Sequence, residues 1–180
     1  MTLNATNVRV AVTGAVYVGP SGATAPTDAS ATLAATLKDL GYVSEDGVTE
    51  TRERSSETVR AWQGAAKVRD VVTESAMTYT FALIETKKET VELFYGSLVD
   101  ANGAISIDPS KTGGRQAFVI DVIDGDSFIR IWVADGEVTE VGDQVYASGE
   151  PIGYEVTITC YPNASGVAAK KFYSDLDVTP

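Results

Sequence analysis

Apolar side chains recur at every second position over several stretches of this chain, which is the spacing of β-strands with one buried face. The clearest stretch is residues 77–84, where Met77, Tyr79, Phe81 and Leu83 alternate with threonine and alanine. Because successive side chains of a strand point to opposite faces, we expect these four residues to face a core. The pattern predicts a strand with a polar outer side.

The same alternation predicts strands at residues 7–18 and 152–161. In the first, the valines at positions 8, 10 and 12 share one side of the strand. In the second, Cys160 falls on the apolar side and has no basic neighbour in the sequence. We therefore expect a buried, unreactive thiol at this position rather than a nucleophile.

A β-hairpin is predicted between these strands. Residues 115–123 and 126–134 flank Asp124-Gly125, a dipeptide typical of a two-residue hairpin turn. The next turns along the chain are expected at Gly136-Glu137 or Gly142-Asp143. The second half of the chain is therefore predicted to be mainly β.

One helix is predicted at about residues 87–95. Thr86-Lys-Lys-Glu89 has the sequence of a capping box, in which the threonine hydroxyl and the glutamate carboxylate satisfy each other's backbone amides. Gly96 or Asn102-Gly103 is a suitable end for this helix. The expected buried stripe consists of Val91, Phe94, Tyr95 and Leu98.

A second, weaker pattern predicts a short helix at residues 28–41. Asp28 is a suitable N-cap and Gly41 a suitable end. The leucines at positions 33, 37 and 40 have helical spacing, although the three threonines or serines among them favour a helix less.

Residues 47–75 differ from the rest of the chain in being polar, β-prone and locally basic. Between positions 52 and 69 there are five Lys and Arg residues against two glutamates. Too few apolar positions are present for this segment to form its own core, so we expect a long extended arm. Trp62 lies within it, and two interpretations stay open: packing under its own loop, or burial against another chain, where Trp and Arg are common.

The pattern as a whole predicts a mainly β fold, a β-sandwich or small barrel with one flanking helix. The length of 180 residues fits one domain over residues 1–180. Within it we expect an N-terminal strand region at 1–18, the arm at 47–75 and a polar C-terminal tail at 162–180.

Composition excludes several function classes. The chain has 25 Asp and Glu against 14 Lys and Arg, a net charge of −11, no histidine and one cysteine. A Ser-His-Asp triad, a histidine-ligated metal, an internal disulfide and a four-cysteine zinc site are therefore all impossible. No stretch approaches about 18 apolar residues, so no membrane span is expected. We expect no cofactor and no enzymatic activity.

The acidity is concentrated between residues 121 and 155, which hold nine carboxylates and the single cation Arg130. One interpretation is that these residues occupy turns and the solvent face of a sheet. The other is that some of them form a coherent acidic surface. The candidates for such a surface are Asp121, Asp124, Asp126, Asp135 and Glu137.

A series of short motifs, in this order, resembles the major tail tube proteins of long-tailed bacteriophages, of the type found in phages of actinobacteria. The resemblance covers about residues 15–97, and the C-terminal half agrees only in general character. The motifs are Tyr17-Val-Gly-Pro20, the run Thr24–Ser30, Asp39-Leu-Gly-Tyr-Val-Ser-Glu-Asp-Gly-Val48, Ala61-Trp-Gln-Gly64, Val68-Arg69, Ile84-Glu-Thr86 and Leu93-Phe-Tyr-Gly96.

The resemblance implies a virion protein, made in the host cytoplasm, that assembles with itself into rings, usually hexamers, stacked as the hollow tube of a non-contractile (siphovirus-type) tail. It also implies an acidic lumen through which DNA passes without specific binding, and a tape-measure protein, a tail terminator and tail-tip proteins as partners, with no membrane. We hypothesise that the arm forms the contact between subunits or rings, and that some of the acids between 121 and 155 face the lumen, with the five above as the candidates. The proposed contact residues of the arm are Arg52, Arg54, Arg60, Trp62 and Gln63.

Two other function classes remain open at this point. A β-sandwich of this kind is also typical of binding modules such as adhesins, carbohydrate-binding domains and capsid decoration proteins. The tube protein of a contractile tail or of a secretion system shares the expected architecture. An exposed aromatic cluster would favour the first, and a neighbouring sheath gene the second.

Overall fold

The fold is a single antiparallel sheet with one short helix. The computed structural model describes residues 3–176, and within them the strands follow the order β2-β1-β5-β6-β7-β4-β3, with β8 beside β6. The elements are β1 (Thr13–Pro20), β2 (Lys38–Asp39), β3 (Val43–Arg60), β4 (Lys67–Leu83), α1 (Lys88–Tyr95), β5 (Gln116–Asp124), β6 (Ser127–Val141), β7 (Tyr154–Cys160) and β8 (Lys170–Tyr173).

Strand β6 changes partners along its length. Its first half pairs with β5 on one side and with β8 on the other, whereas its second half pairs with β7. A bulge separates the halves, since the pairing with β5 shifts from Val133 to Gly136. A Cβ atom at Gly136 would lie 2.8 Å from the Phe118 ring, so only glycine fits there. Of the two sites predicted for the next turn, Gly136-Glu137 is wrong, because the strand passes through these residues, whereas β6 does end at Val141, directly before Gly142-Asp143.

The inner face of the sheet carries the main core. β1 and β3, which lie near opposite ends of the strand order, both contribute side chains to this core. The sheet is therefore curved, with its apolar side chains on the inside. Helix α1 closes this core through Leu93, and the buried Thr90 hydroxyl donates a hydrogen bond of 2.9 Å to the Leu40 carbonyl. The fully buried residues of the inner face include Val16, Leu40, Tyr79, Phe81, Leu83, Phe118, Ile120, Val133, Val156 and Ile158.

Part of the outer face is covered by residues 21–37, which lie over β5 and the first half of β6. The buried cluster below them consists of Leu37, Ala117, Val119 and Trp132. This cover explains why β5 is buried on both faces, a feature that simple alternation does not predict.

The covering segment contains no helix, so the helix predicted at 28–41 is wrong. Its leucines are divided between two surfaces, since Leu37 packs on the outer face and Leu40 in the main core. Asp28 bonds the backbone amide and hydroxyl of Ser30 in a local turn, a conformation that competes with helix.

A buried ion pair ties the covering segment to the sheet. Asp121 and Arg130 are directly opposite each other on β5 and β6, and two N–H groups of the guanidinium donate to the carboxylate at 2.7 Å each. The hydrogen bonds to Asp121 raise the pKa of Arg130 above its ordinary value. The remaining terminal nitrogen of Arg130 donates to the Ala31 carbonyl of the segment.

The N-terminal strand is shorter than predicted. β1 begins at Thr13, residues 8–12 are outside any strand, and Val8, Val10 and Val12 are exposed. The reason is that β5 ends at Asp124, so the chain before Thr13 has little strand to pair with. Two contacts continue past it, from the Val12 amide to the Ile123 carbonyl at 3.2 Å and from the Val10 amide to the Asp124 carboxylate at 2.9 Å.

The predicted helix and its end at Gly96 are confirmed, with the glycine in the left-handed conformation at φ +61°. The capping box is wrong, because the N-cap is Lys87 without a side-chain bond and the Thr86 hydroxyl lies 3.1 Å from that of Tyr154. The buried side chains are Thr90 and Leu93, whereas Leu98 is exposed. Packing on β7, rather than capping, sets how the helix starts.

The remaining strand predictions fare better. The alternations in β4 and β7 are confirmed, as is the burial of Cys160. The hairpin after Asp124 is confirmed too, since Asp124 pairs with Ser127 across Gly125 and Asp126. The polar tail is corrected in part, because residues 170–173 form β8 against β6; residues 177–180 of that tail lie outside the described residues.

Replacing Asp121 with alanine should lower the free energy of unfolding by about 3–5 kcal/mol, because Arg130 would stay buried without its counter-ion. Urea unfolding followed by tryptophan fluorescence measures the change. Asp126→Ala, at the exposed hairpin turn, is the matched control and should stay within about 0.5 kcal/mol of the parent. Equal unfolding midpoints for the two variants would contradict a structural role for the pair.

The single thiol should not react in the native protein. Burial raises the pKa of Cys160 from 9.0 to about 12, so the thiolate is almost absent at neutral pH. A colorimetric thiol reagent at pH 8 should therefore label the chain in urea but leave it unlabelled without urea. Rapid labelling of the folded protein at pH 8 would show that this part of the core opens.

Candidate functional site: assembly surfaces

The most prominent surface feature is the hairpin formed by β3 and β4, which confirms an extended segment at residues 47–75. β4 pairs with β7 only between Thr78 and Leu83, so residues 67–77 pair with β3 alone. At about 3.3 Å per residue this two-stranded ribbon, residues 52–77, projects roughly 30 Å beyond the sheet and is called the arm from here on. A two-stranded ribbon is only marginally stable in water, so the arm suits contact with another surface.

The tip of the arm is a tight turn between Ala61 and Ala66, closed by a backbone hydrogen bond of 2.8 Å. Arg60 reinforces it by donating to the Ala65 carbonyl at 3.2 Å. Trp62 is 98% exposed, which excludes the interpretation that it packs under its own loop. Gln63 is exposed beside it in the same turn. The tip thus presents a large aromatic side chain to solvent.

The two sides of the arm carry opposite charges. Even-numbered residues of β3 continue the inner face, so Arg52, Arg54 and Arg60 share one side. Odd-numbered residues continue the outer face and include Glu53 and Glu57. Register shifts opposite Ser55 and Val59 place the extra residues in β4, so the alternation of β3 is uninterrupted.

Charges on β4 reinforce this division. Glu74, opposite Ser55, adds a third carboxylate to the outer side, and Arg69 is the one cation of the arm there. On the inner side, Asp70 is neutralised by Lys67 at 2.7 Å, and the hydrogen bonds from Lys67 and Thr58 hold the pKa of Asp70 below its ordinary value. The three arginines therefore leave the inner side of the arm basic.

A groove of about 450 Å³ lies at the base of the arm on its basic side. Arg52, Glu53 and Arg54 line one side of it, Pro162, Gly166 and Ala168 line the other, and the buried Cys160 lies between them, so the lining carries two cations against one carboxylate. Arg52 is 3.8 Å from Glu50, and no carboxylate within residues 3–176 pairs with Arg54. The groove thus combines an apolar floor with cationic groups that have weak or no internal partners.

The outer face is open over β3, β4, β7 and the second half of β6. Threonines dominate this area, here called the threonine face. The hydroxyls of Thr80 and Thr157 lie 2.9 Å apart, and those of Thr139 and Thr159 lie 2.8 Å apart. Neighbouring strands thus satisfy one another's hydroxyl groups. The threonines are Thr49, Thr51, Thr78, Thr80, Thr139, Thr157 and Thr159.

The four strands under the threonine face have two free edges. Among the described residues, β3 pairs only with β4, and residues 137–141 of β6 pair only with β7. A groove of about 320 Å³ separates the second edge from residues 107–112. Free edges present unpaired backbone groups and are ready to pair with another strand.

The five candidate acids do not form one cluster. Asp121 is 8% exposed and paired with Arg130, so it adds little to any acidic surface. Asp124 binds the Val10 amide and Asp126 is exposed in the hairpin turn. Strand spacing separates these two from Asp135 by up to roughly 25 Å.

Asp135 and Glu137 flank Arg115 on the outer side of β6. The Arg115 nitrogens lie 2.8 Å from Asp135 and 3.3 Å from Glu137, and its guanidinium stacks on the Tyr161 ring at 3.3 Å. Thr112 also donates to Glu137 at 2.6 Å. Glu137 is opposite Thr159 and therefore borders the threonine face.

A second acidic surface was missed by the sequence analysis. The loop at 142–153 exposes Val145 and Tyr146, and Asp143 and Glu150 have no cationic partner within the described part of the chain. The signal was present, because no Lys or Arg occurs between Arg130 and Lys170. The threonine face was also missed, although alternate threonines in β4 and β7 indicated it.

Neither catalysis nor ligand binding is indicated. Among residues 3–176 no group of three or more acidic or cysteine side chains could hold a metal ion. No helix of this region is long and apolar enough to cross a membrane. The two tryptophans do not share a binding surface, since Trp62 is at the arm tip and Trp132 is buried below residues 21–37.

Comparison with known proteins completes this description. No curated protein matches the chain. Similar solved structures include a chain from the virion of a native gene transfer agent particle, with 8% identity, a TM-score of 0.42 and coverage of 97% of this chain and 100% of that one. A chain from the tail of an empty gene transfer agent particle has 9% identity, a TM-score of 0.44 and coverage of 93% and 100%. One from the anti-feeding prophage baseplate has 10% identity, a TM-score of 0.43 and coverage of 96% and 97%.

The family comparison is decisive. The model of the phage tail tube protein family matches residues 1–179, nearly the whole chain. Its members are structural, which agrees with a molecule whose prominent features are free strand edges and a projecting arm rather than a cleft with reactive groups. The chain belongs to the phage tail tube protein family.

Proposed function

We propose that six copies of this tail tube protein close into a ring through their free strand edges, that rings stack into a hollow tube, and that the threonine face lines its bore. The observation that carries the proposal is the four-stranded sheet with two free edges and one open polar face. The fold does not cover this face itself, although it covers the neighbouring half of the outer side.

Ring closure follows from strand direction. The four strands β6, β7, β4 and β3 are all antiparallel to their neighbours, so the first and the last run in opposite directions. In a rotationally symmetric ring, β3 of one copy therefore meets β6 of the next in the antiparallel sense. Such pairing leaves no free edge and satisfies the backbone groups that the single chain exposes.

Six copies suit the passage of DNA. At four strands per copy and about 4.8 Å between strands, six copies give a barrel with a backbone diameter of about 37 Å, against about 24 Å for four copies. Side chains on the inside reduce these widths further. Threonine is short, so the larger barrel leaves room for a DNA duplex and the smaller does not.

The chemistry of the threonine face favours sliding. DNA is held mainly by Lys and Arg neutralising its phosphates, and none of the seven threonine positions offers a cation. Glu137 and Glu155 lie at the border of the threonine face. On the arm, the same side of the sheet carries Glu53, Glu57 and Glu74. Repulsion from these carboxylates reaches about 8 Å at physiological salt, and ring symmetry multiplies it.

This arrangement revises the acidic lumen expected from the sequence. Of the five candidates, Asp135 and Glu137 lie on the outer side of β6 and stay part of the proposal, partly neutralised by Arg115. Asp121 is buried, and Asp124 and Asp126 lie beyond the threonine face at the far end of β6. The glutamates of β7 and of the arm take their place.

The remaining parts of the proposal rest on the motifs between residues 15 and 97. They favour a long non-contractile tail of the type found in actinobacterial phages, with a tape-measure protein filling the tube before ejection and a terminator and tip proteins closing its ends. The protein would be made in the host cytoplasm and act in the virion. A sheath gene beside its own would favour a contractile tail instead.

Concentrated purified protein should form hollow tubes, because ring closure buries the unpaired edges of β3 and β6. Cryo-electron microscopy of the tubes should show six-fold rings with the threonine face at the bore. Tubes with this face on the outside would contradict the proposal for the lumen. A protein that stays monomeric at high concentration and binds a glycan would support a binding module instead.

Lysines on the threonine face should make the bore retain DNA. Thr51 and Thr78 are directly opposite each other, so T51K/T78K adds two cations per copy to one place. Tubes of this variant should hold a short labelled duplex and protect it from nuclease, and release it as salt is raised. The parent and T51S/T78S should protect none. Lysine tubes whose bound DNA is fully digested would place this face outside the bore.

A further inference from the structure

We propose that the groove at the base of the arm receives the acidic 142–153 loop of a copy in the next ring, and that this contact gives the tube its direction. The inference rests on the proposed stacking of rings and names the surface on each side of the contact. It follows from where the two features lie, from their charges and from their apolar groups.

The arm and the loop lie at opposite ends of the four-stranded sheet. Thr78 of β4, where the arm begins, is opposite Thr159 near the end of β7. Leu83 at the other end of β4 is opposite Tyr154, the first residue after the loop. When copies stack in the same orientation, the arm end of one therefore meets the loop end of the next.

Both features carry charges without a strong internal partner. Arg54 has no ion pair within residues 3–176, and Arg52 has only a distant one to Glu50. On the loop side, Asp143 and Glu150 are exposed, as is Glu140 at the end of β6 just before the loop, and no cation in the described structure pairs with them. Most other cations among the described residues contact an anion, a carbonyl or a ring, and the exceptions, Arg69 and Lys111, lie outside the groove. Arg52 and Arg54 are therefore the cations of this groove that can pair with a carboxylate of another copy.

Their apolar groups match as well. The groove has Met77, Pro162 and Ala168 beside its arginines. The loop exposes Val145 and Tyr146, at 58% and 72%. An acidic segment with apolar side chains fits a basic groove with an apolar floor, and the centre of the contact would be desolvated.

The loop is held in shape before any contact forms. The Gly142 amide donates to the Glu155 carbonyl at 2.9 Å, and the Tyr95 hydroxyl donates to Gln144 at 2.8 Å. The Tyr146 hydroxyl binds the same Gln144 oxygen. Little ordering of the loop is then needed on docking, which favours affinity.

The contact is heterologous, since different surfaces of the two copies meet. Heterologous contacts between rings repeat without closing, so the stack grows along its axis. One end of the stack exposes basic grooves and the other exposes acidic loops. A protein that closes the arm end therefore needs an acidic, partly apolar segment, and one that starts the stack at the loop end needs a basic groove.

Cysteine cross-linking between two variants tests the contact directly. Chains carrying Arg54→Cys are mixed with chains carrying Asp143→Cys, so a disulfide between the new thiols can only join different copies. Because Cys160 lines the same groove, it is replaced with alanine in every chain so that only the new thiols can react. Mild oxidation of mixed tubes should give a disulfide-linked dimer that is absent below the concentration at which tubes form. The matched control is Glu57→Cys, on the opposite side of the arm, which should give no dimer with Asp143→Cys.

Charge reversal gives a second test. R52E/R54E and D143K/E150K should each lower the fraction of chain in tubes roughly tenfold or more, and the chain carrying all four changes should recover much of it. E57K/E74K reverses two charges on the other side of the arm and should assemble normally.

The outcomes separate this inference from the proposed function. If the mixed cysteine variants form tubes without a cross-link, or if R52E/R54E forms normal tubes, the groove contact is wrong. The proposed function as a tail tube would be unaffected by either result. If each double variant blocks tube growth and the chain carrying all four changes does not form tubes again, the loop is not the partner of the groove. Absence of tubes from the parent would contradict the proposed assembly itself.

Discussion

The arrangement of the surfaces depends on one constraint, the change of partners along β6. Up to Val133 this strand is paired on both edges, by β5 and β8, and its outer side is covered by residues 21–37. Beyond Gly136 it is paired only by β7, and its outer side is open. The bulge and the glycine that the Phe118 ring requires therefore separate a closed half of the fold from a half that is left incomplete.

The sequence predicted the parts of the fold that depend on local alternation. β4, β7 and the hairpin after Asp124 each bury one face, and period-two patterns describe such strands well. It failed where long-range contacts decide. The leucines at 37 and 40 have helical spacing but pack into two different clusters. The Thr86 hydroxyl bonds the hydroxyl of Tyr154, 68 positions away, and does not cap the helix.

The candidate surfaces were predicted unevenly for the same reason. The basic arm is visible in the sequence because its charges are close together along the chain. The acids between 121 and 155 look like one group, yet the fold gives them different roles. Asp121 neutralises a buried arginine, Asp135 and Glu137 hold Arg115, and the carboxylates of the 142–153 loop have no cationic partner among the described residues. Sequence position alone cannot show which carboxylates already have a partner.

The arm connects stability with assembly. It lies beyond the core, its two strands have only each other, and nearly all its side chains are exposed, so it adds little to the stability of the single chain. A partner that covers its basic side would supply the missing contacts and order it at the same time. The arm then loses conformational entropy only where contacts with an existing ring offset that loss. An arm that gains its contacts only in a stack, as proposed above, favours adding copies to an existing end over starting new stacks.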